Sequence, residues 1–104
     1  MTKEDKDFNP EVSYKLVQAG ALLIDVRTRS EFVEAHVQGA INIPHDEIIE
    51  SAAEILELVG QDQTKDIVVY CKSGGRSGFA KKDLLNIGYK NVVNHGGFCD
   101  WKNK

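Results

Sequence analysis

Residues 67–76 read Ile-Val-Val-Tyr-Cys-Lys-Ser-Gly-Gly-Arg, and the change of pattern within them constrains the fold more than anything else in the chain. Residues 67–70 form a β-branched and aromatic run with no polar position, as in a strand covered on both faces. A helical period resumes after Ser77, so Cys71 falls at a strand-to-helix turn. Gly74 and Gly75 let that turn curl with its N–H groups facing inward, and the start of the next helix adds unpaired N–H groups and a positive dipole end. Such a turn binds anions. A thiol in this field loses its proton more easily than a free cysteine, helped by the charges of Lys72 and Arg76. Cys71 is the candidate nucleophile, and Lys72, Ser73, Gly74, Gly75, Arg76 and Ser77 form the candidate anion-binding loop.

The rest of the chain alternates strand-length and helix-period segments. Asn9-Pro10 has the form of a helix start, with Asn as cap and Pro at the first helical position, and predicts a helix over residues 10–19 with Val12, Leu16 and Val17 as its buried stripe. Residues 21–24 are an unbroken apolar run ending at Asp25-Val26-Arg27. Thr28 and Glu31 have capping-box spacing and predict a short helix over 29–35. A second strand is expected within 39–44, stopped by Pro44. Ile48, Ile49, Ala52, Ile55, Leu56 and Val59 predict a helix over 46–59 with Gly60 as its stop. After the central strand, a helix carries Phe79, Ala80, Leu84, Leu85 and Ile87. Val92-Val93 is the last strand, closed by His95-Gly96-Gly97, and residues 98–101 add one helical turn.

Strands that alternate with helices imply right-handed crossovers and an α/β fold with a parallel sheet between helices. Ligands bind beyond the carboxyl ends of the strands in such a sheet, so Asp25, Arg27, Cys71 and residues 95–97 are expected on one rim. The length of 104 residues suits one domain, expected over residues 9–104 behind a charged, flexible leader at 1–8. No apolar run is long enough to span a bilayer and no apolar h-region follows the charged start, so a cytoplasmic protein without membrane association is expected. The net charge is −3. Residues 71–90 nevertheless carry five cations (Lys72, Arg76, Lys81, Lys82 and Lys90) against Asp83, a local net charge of +4 that leaves −7 elsewhere. That distribution favours a small anionic substrate over nucleic acid, which calls for an extended basic face. Lys81, Lys82 and Lys90 are equally well explained as a solvated helix face. Two cysteines and three scattered histidines lack metal-ligand spacing, so neither a metal nor another cofactor is expected. No exposed apolar stripe suggests an oligomer, and a monomer is expected.

Five motifs in order carry a family resemblance: Leu23-Ile24-Asp25-Val26-Arg27; Glu31-Phe32; His36-Val37-Gln38-Gly39-Ala40-Ile41-Asn42-Ile43-Pro44; the strand with Cys71; and Gly96-Gly97 with Trp101. Together they resemble the signature of single-domain rhodaneses over residues 9–102. The resemblance implies a three-layer α/β/α domain with a five-stranded parallel sheet, and passage of a sulfane sulfur through a cysteine persulfide. The six-residue loop from Cys71 to Arg76 has the length associated with sulfurtransferases, whereas the related dual-specificity phosphatases carry one residue more. A smaller ring suits a persulfide or thiosulfate sulfur better than a tetrahedral phosphate, which needs more N–H groups around it. Two positions depart from the pattern. Ala35 stands where glycine commonly precedes the histidine, and Cys99 is a thiol where none is usual.

The implied reaction moves sulfur from thiosulfate or another sulfane donor to cyanide, a thiol or a sulfur-carrier protein. A persulfide relay or regulatory module, and a cysteine-dependent phosphatase or arsenate reductase, are the alternatives on the same scaffold. Asp25 and Arg27 fit a supporting role, either functional or as a loop-bracing ion pair. Ser77 fits both a hydrogen bond to the bound sulfur and a helix cap. His36 fits a hydrogen-bonding core histidine, and Trp101 a core or edge anchor. Cys99 has two readings, a resolving partner for Cys71 and an unreactive thiol.

Overall fold

A computed structural model describes residues 6–101. The sheet has four strands, all parallel: β1 (Leu22–Asp25), β2 (Ile41–Asn42), β3 (Ile67–Cys71) and β4 (Val92–Gly97), in the order β2-β1-β3-β4. β3 is central and fully buried. Its side chains alternate between the two faces. Ile67, Val69 and Cys71 join Ile24, Ile55, Ala80 and Leu84 in one core cluster, while Val68 and Tyr70 join Leu23, Val93 and Trp101 in the other. The first cluster is covered by α3 (Ala52–Leu58) and α4 (Gly75–Asn86), the second by α1 (Pro10–Gln18) through Tyr14, Leu16 and Val17. Each crossover thus places a helix over the sheet, as parallel strands require.

The five-stranded expectation is corrected to four among the described residues. The outer edge of β4 shows why. Phe8 gives that edge one backbone hydrogen bond, from its N–H to the Asn94 carbonyl at 2.8 Å, and the Asp7 carboxylate accepts the Asn94 N–H at 2.9 Å. Phe8 then adopts a left-handed φ of 57° and Asn9 caps α1, accepting from the Glu11 and Val12 N–H groups. The chain turns into a helix before a ladder can form. Residues 1–5 of the expected leader lie outside the described residues.

Other elements follow the expected pattern with shifted ends. The capping box holds α2 (Arg29–Glu34) as its spacing predicts. The helix expected over 46–59 divides into a 3-10 turn (His45–Glu47) and α3, a break that the sequence hides because helical spacing of apolar residues persists through it: Ile48 and Ile55 are both fully buried. β4 runs to Gly97 rather than stopping at Val93. Asn-His-Gly-Gly has little strand propensity, but its pairing with β3 continues past a register shift at Val69/Tyr70, with Tyr70 opposite Gly96 and Cys71 opposite Gly97. No helix among the described residues is long and apolar enough to cross a membrane.

Candidate active site

Cys71 is the last residue of β3, and its side chain faces the start of α4. α4 begins at Gly75, three residues earlier than its apolar period shows, with Gly74 as its cap in the left-handed region at φ 107°. That conformation suits glycine. The Gly74 N–H meets the Cys71 Sγ at 2.9 Å, and the first turn of α4 brings the Ser77 N–H to 3.4 Å from the same atom. Cys71 is 1% exposed. Burial pushes its pKa up, but the polar contacts of the sulfur with Ser77, Gly74 and Ser73 outweigh burial and leave the thiol more acidic than usual. Gly75, by contrast, needs no special freedom, because a Cβ there would meet nothing within 4 Å. Close approach also governs Gly97, where a Cβ would lie 2.8 Å from the Lys72 carbonyl oxygen.

The charges around the loop are arranged differently from the sequence expectation. The Arg76 guanidinium acts electrostatically on Cys71 but is also engaged elsewhere. It makes a two-pronged ion pair with Glu31 of α2, at 2.9 and 3.2 Å. The same Glu31 carboxylate closes the capping box through the Thr28 N–H at 2.9 Å and the Thr28 hydroxyl at 3.0 Å. Arg76 first, and the Thr28 N–H next, hold the Glu31 carboxyl down at about 2. Lys81 likewise pairs with Asp7 at 2.7 Å. Two of the five cations in the basic segment are thus already matched. Lys72 and Ser73 are exposed on the loop, and the Ser73 backbone contributes to the sulfur's surroundings.

Asp25 and Arg27 reach the same rim but form a brace beneath it. The Arg27 Nε and Nη2 donate to the buried Asp25 carboxylate at 3.0 and 2.6 Å, and Nη2 also donates to the Ala35 carbonyl at 2.6 Å. The guanidinium lies 4.5 Å from the Phe98 ring centroid and 5.7 Å from that of Tyr70. The Tyr70 hydroxyl in turn accepts the Val37 N–H at 3.0 Å. A charge pair this enclosed fixes geometry rather than offering a free group to substrate. These contacts fit the loop-bracing reading of the pair.

His36 is exposed rather than in the core: its ring stacks on Phe32 at 3.7 Å and its Nδ1 meets the Phe32 carbonyl oxygen at 2.7 Å. Trp101 is buried as an anchor, edge-on to Tyr14 and His95. Cys99 is exposed and is not joined to Cys71 in a disulfide. Ser77 is not a side-chain cap. Its hydroxyl donates to the Asn94 Oδ1 at 2.7 Å and faces the Cys71 Sγ at 3.4 Å. Three participants were not legible as site residues. Glu31 showed only its capping role, Asn94 lay beyond the expected end of β4, and Phe8 belonged to the leader. The Phe8 ring packs over the loop, where a Cβ on Gly74 or Gly96 would lie 2.9 or 2.8 Å from it.

A buried thiol polarised by backbone N–H groups, at the carboxyl edge of a parallel sheet, is the equipment of an enzyme that works through a covalent cysteine intermediate. The profile of the Rhodanese-like domain matches residues 9–104, and the chain belongs to the rhodanese-like sulfurtransferase family. Thiosulfate sulfurtransferase PspE of Escherichia coli (strain K12) is 43% identical over 77 residues, covering 74% of this chain and 70% of that protein. Thiosulfate sulfurtransferase 16, chloroplastic, of Arabidopsis thaliana is 39% identical over 99 residues, covering 86% of this chain and 81% of its own length. A tRNA uridine(34) hydroxylase of Hamiltonella defensa is 31% identical over 109 residues, and there the match spans 94% of this chain but only 31% of the relative. Among solved structures, a rhodanese with anions from E. coli superposes with a TM-score of 0.69 at 41% identity, covering 78% of this chain and 91% of that one.

Proposed function

We propose that the protein is a thiosulfate sulfurtransferase that carries sulfane sulfur as a persulfide on Cys71. The Cys71 thiolate attacks the outer sulfur of thiosulfate; the S–S bond of thiosulfate breaks and sulfite leaves with the bonding pair. A thiophilic acceptor such as cyanide or a thiol, or the thiol group of a sulfur-carrier protein, then takes the outer sulfur and regenerates the thiolate. Charge balances in each half, and the kinetics are ping-pong. No general base is needed if the thiolate is formed before the donor arrives.

The observation that carries this reading is the convergence of the Gly74 and Ser77 N–H groups on the Cys71 sulfur itself. A loop drawn around one sulfur stabilises a thiolate and the persulfide that replaces it, as an oxyanion hole stabilises a developing alkoxide. Its six residues and the pairing of Arg76 with Glu31 leave fewer donors than a tetrahedral phosphate requires, which disfavours the phosphatase reading. Lys72, exposed beside the nucleophile, is the residue placed to draw in the anionic donor, and Arg76 anchors the loop.

Intact-protein mass spectrometry after incubation with thiosulfate, and again after cyanide, tests the proposal. The parent gains one sulfur, about 32 Da, which cyanide removes, and Cys71→Ser gains none. A parent that gains no sulfur from thiosulfate, or a Cys71→Ser variant that still does, overturns it.

A further inference from the structure

Asn94 occupies the centre of the hydrogen bonds that join the Cys71 loop to β4. It is 4% exposed. Its side-chain orientation follows from its neighbours, since a backbone N–H can only donate and a carbonyl can only accept. The Gly96 N–H lies 2.9 Å from one side-chain atom, which is therefore Oδ1; the Gly74 carbonyl lies 3.3 Å from the other, which is therefore the amide nitrogen. The Ser77 Oγ approaches that Oδ1 at 2.7 Å. Oδ1 has no proton to give, so Ser77 is the donor, and a serine hydroxyl has only one proton.

The consequence falls on Cys71. The Ser77 Oγ is also 3.4 Å from the Cys71 Sγ, but with its proton directed at Asn94 it presents only lone pairs to the sulfur. We propose that Asn94 is a positioning residue that holds the Ser77 hydroxyl proton away from the Cys71 sulfur. The backbone N–H groups of Gly74 and Ser77 remain the sulfur's donors. Withholding a further donor has a chemical use. Thiolate nucleophilicity falls as its basicity falls, with a Brønsted slope of about 0.4–0.5, so a sulfur with too many donors is ionised but slow. The backbone N–H groups at the sulfur make the thiol more acidic, and Asn94 keeps the Ser77 hydroxyl from adding a further donor that would blunt it. This rests on Cys71 as the nucleophile of the proposed function but concerns its proton rather than its sulfur cargo.

The test reads the rate of Cys71 with a dipyridyl disulfide against pH, in a Cys99→Ser background so that one thiol reports. Asn94→Ala frees the Ser77 hydroxyl to turn toward the sulfur. The midpoint of the profile then moves about one pH unit to the acid side, tenfold in thiolate fraction below the midpoint, while the plateau rate at high pH falls about threefold. Ser77→Ala leaves the midpoint unchanged or slightly acid-shifted, and adding Asn94→Ala to Ser77→Ala produces no further acid shift. A residue that merely supports the loop gives the opposite sign, because a loosened loop withdraws the Gly74 and Ser77 N–H groups and moves the midpoint to the alkaline side. Arg76, whose charge faces Cys71, and its partner Glu31 are untouched by either substitution. An alkaline shift in Asn94→Ala, or an acid shift that persists without the Ser77 hydroxyl, overturns the proposal. Ser77→Ala alone decides the matter if Asn94→Ala does not fold, since an alkaline shift in it shows that the hydroxyl donates to the thiolate in the parent. None of these readouts needs thiosulfate, so a failure of the sulfurtransferase reading is seen separately, as a missing mass gain.

Discussion

Gly74 and Gly75 are adjacent and identical in type, yet their environments ask different things of them. Gly74 holds a left-handed φ of 107°, and a Cβ there would lie 2.9 Å from the Phe8 ring and 3.4 Å from the Gly96 Cα. Gly74→Ala is therefore expected to cost about 1–3 kcal/mol and to disturb the N–H that meets the Cys71 sulfur. Gly75→Ala places a methyl in open space at the start of α4 and is expected to change stability by less than about 0.5 kcal/mol. Urea denaturation of the two variants separates them, and equal losses would contradict the geometry. At this scale the nucleophile and its loop were legible because strand, glycines and cations are contiguous in the chain. Asn94 and Glu31 were not, because their contacts with the loop span 17 to 45 positions and no local pattern records them.

The elements around the site are joined through single residues with two attachments. Glu31 closes the cap of α2 and also clamps Arg76 of α4, so one carboxylate ties two helices. Its depressed pKa has a defined sign. The folded state holds this carboxylate ionised down to about 2, against an ordinary value near 4.5, so the stabilisation is complete above the ordinary value and lost as pH falls from there toward 2. The parent should exceed Glu31→Gln in urea midpoint at neutral pH, and the two should converge as pH is lowered through that window. A difference that stays constant would show that Glu31 acts through packing rather than charge. Element type followed well from periodicity, but element ends did not. The break between residues 47 and 52 is hidden by an apolar spacing that continues through it, and β4 extends over Asn94, His95, Gly96 and Gly97 because pairing with β3 overrides their poor strand propensity.

Across the whole molecule, two apolar clusters on opposite faces of β3 bury the sheet, and the site forms where β1, β3 and β4 end together. The start of the described chain belongs to that assembly. Asp7 accepts from the Asn94 N–H and pairs with Lys81, and Phe8 donates to the Asn94 carbonyl while its ring covers Gly74 and Gly96. Deleting residues 1–8 should therefore lower stability by about 1–3 kcal/mol, read as a drop in urea midpoint. An unchanged midpoint would mean that this contact contributes nothing. The excess of positive charge seen in the sequence is tempered by the same fold, since Arg76 and Lys81 meet acidic partners that are remote in the chain.

The fold makes Cys71 more acidic than an ordinary thiol through the polar contacts its loop gives the sulfur. Following the ultraviolet absorbance of the thiolate against pH, on the Cys99→Ser chain and on the same chain lacking Cys71, tests it most directly. The Cys71 midpoint is expected below that of an unperturbed thiol, about 8.5, with the signal absent when Cys71 is removed. A midpoint at or above that value would mean that burial outweighs the loop and that the N–H groups do not activate Cys71.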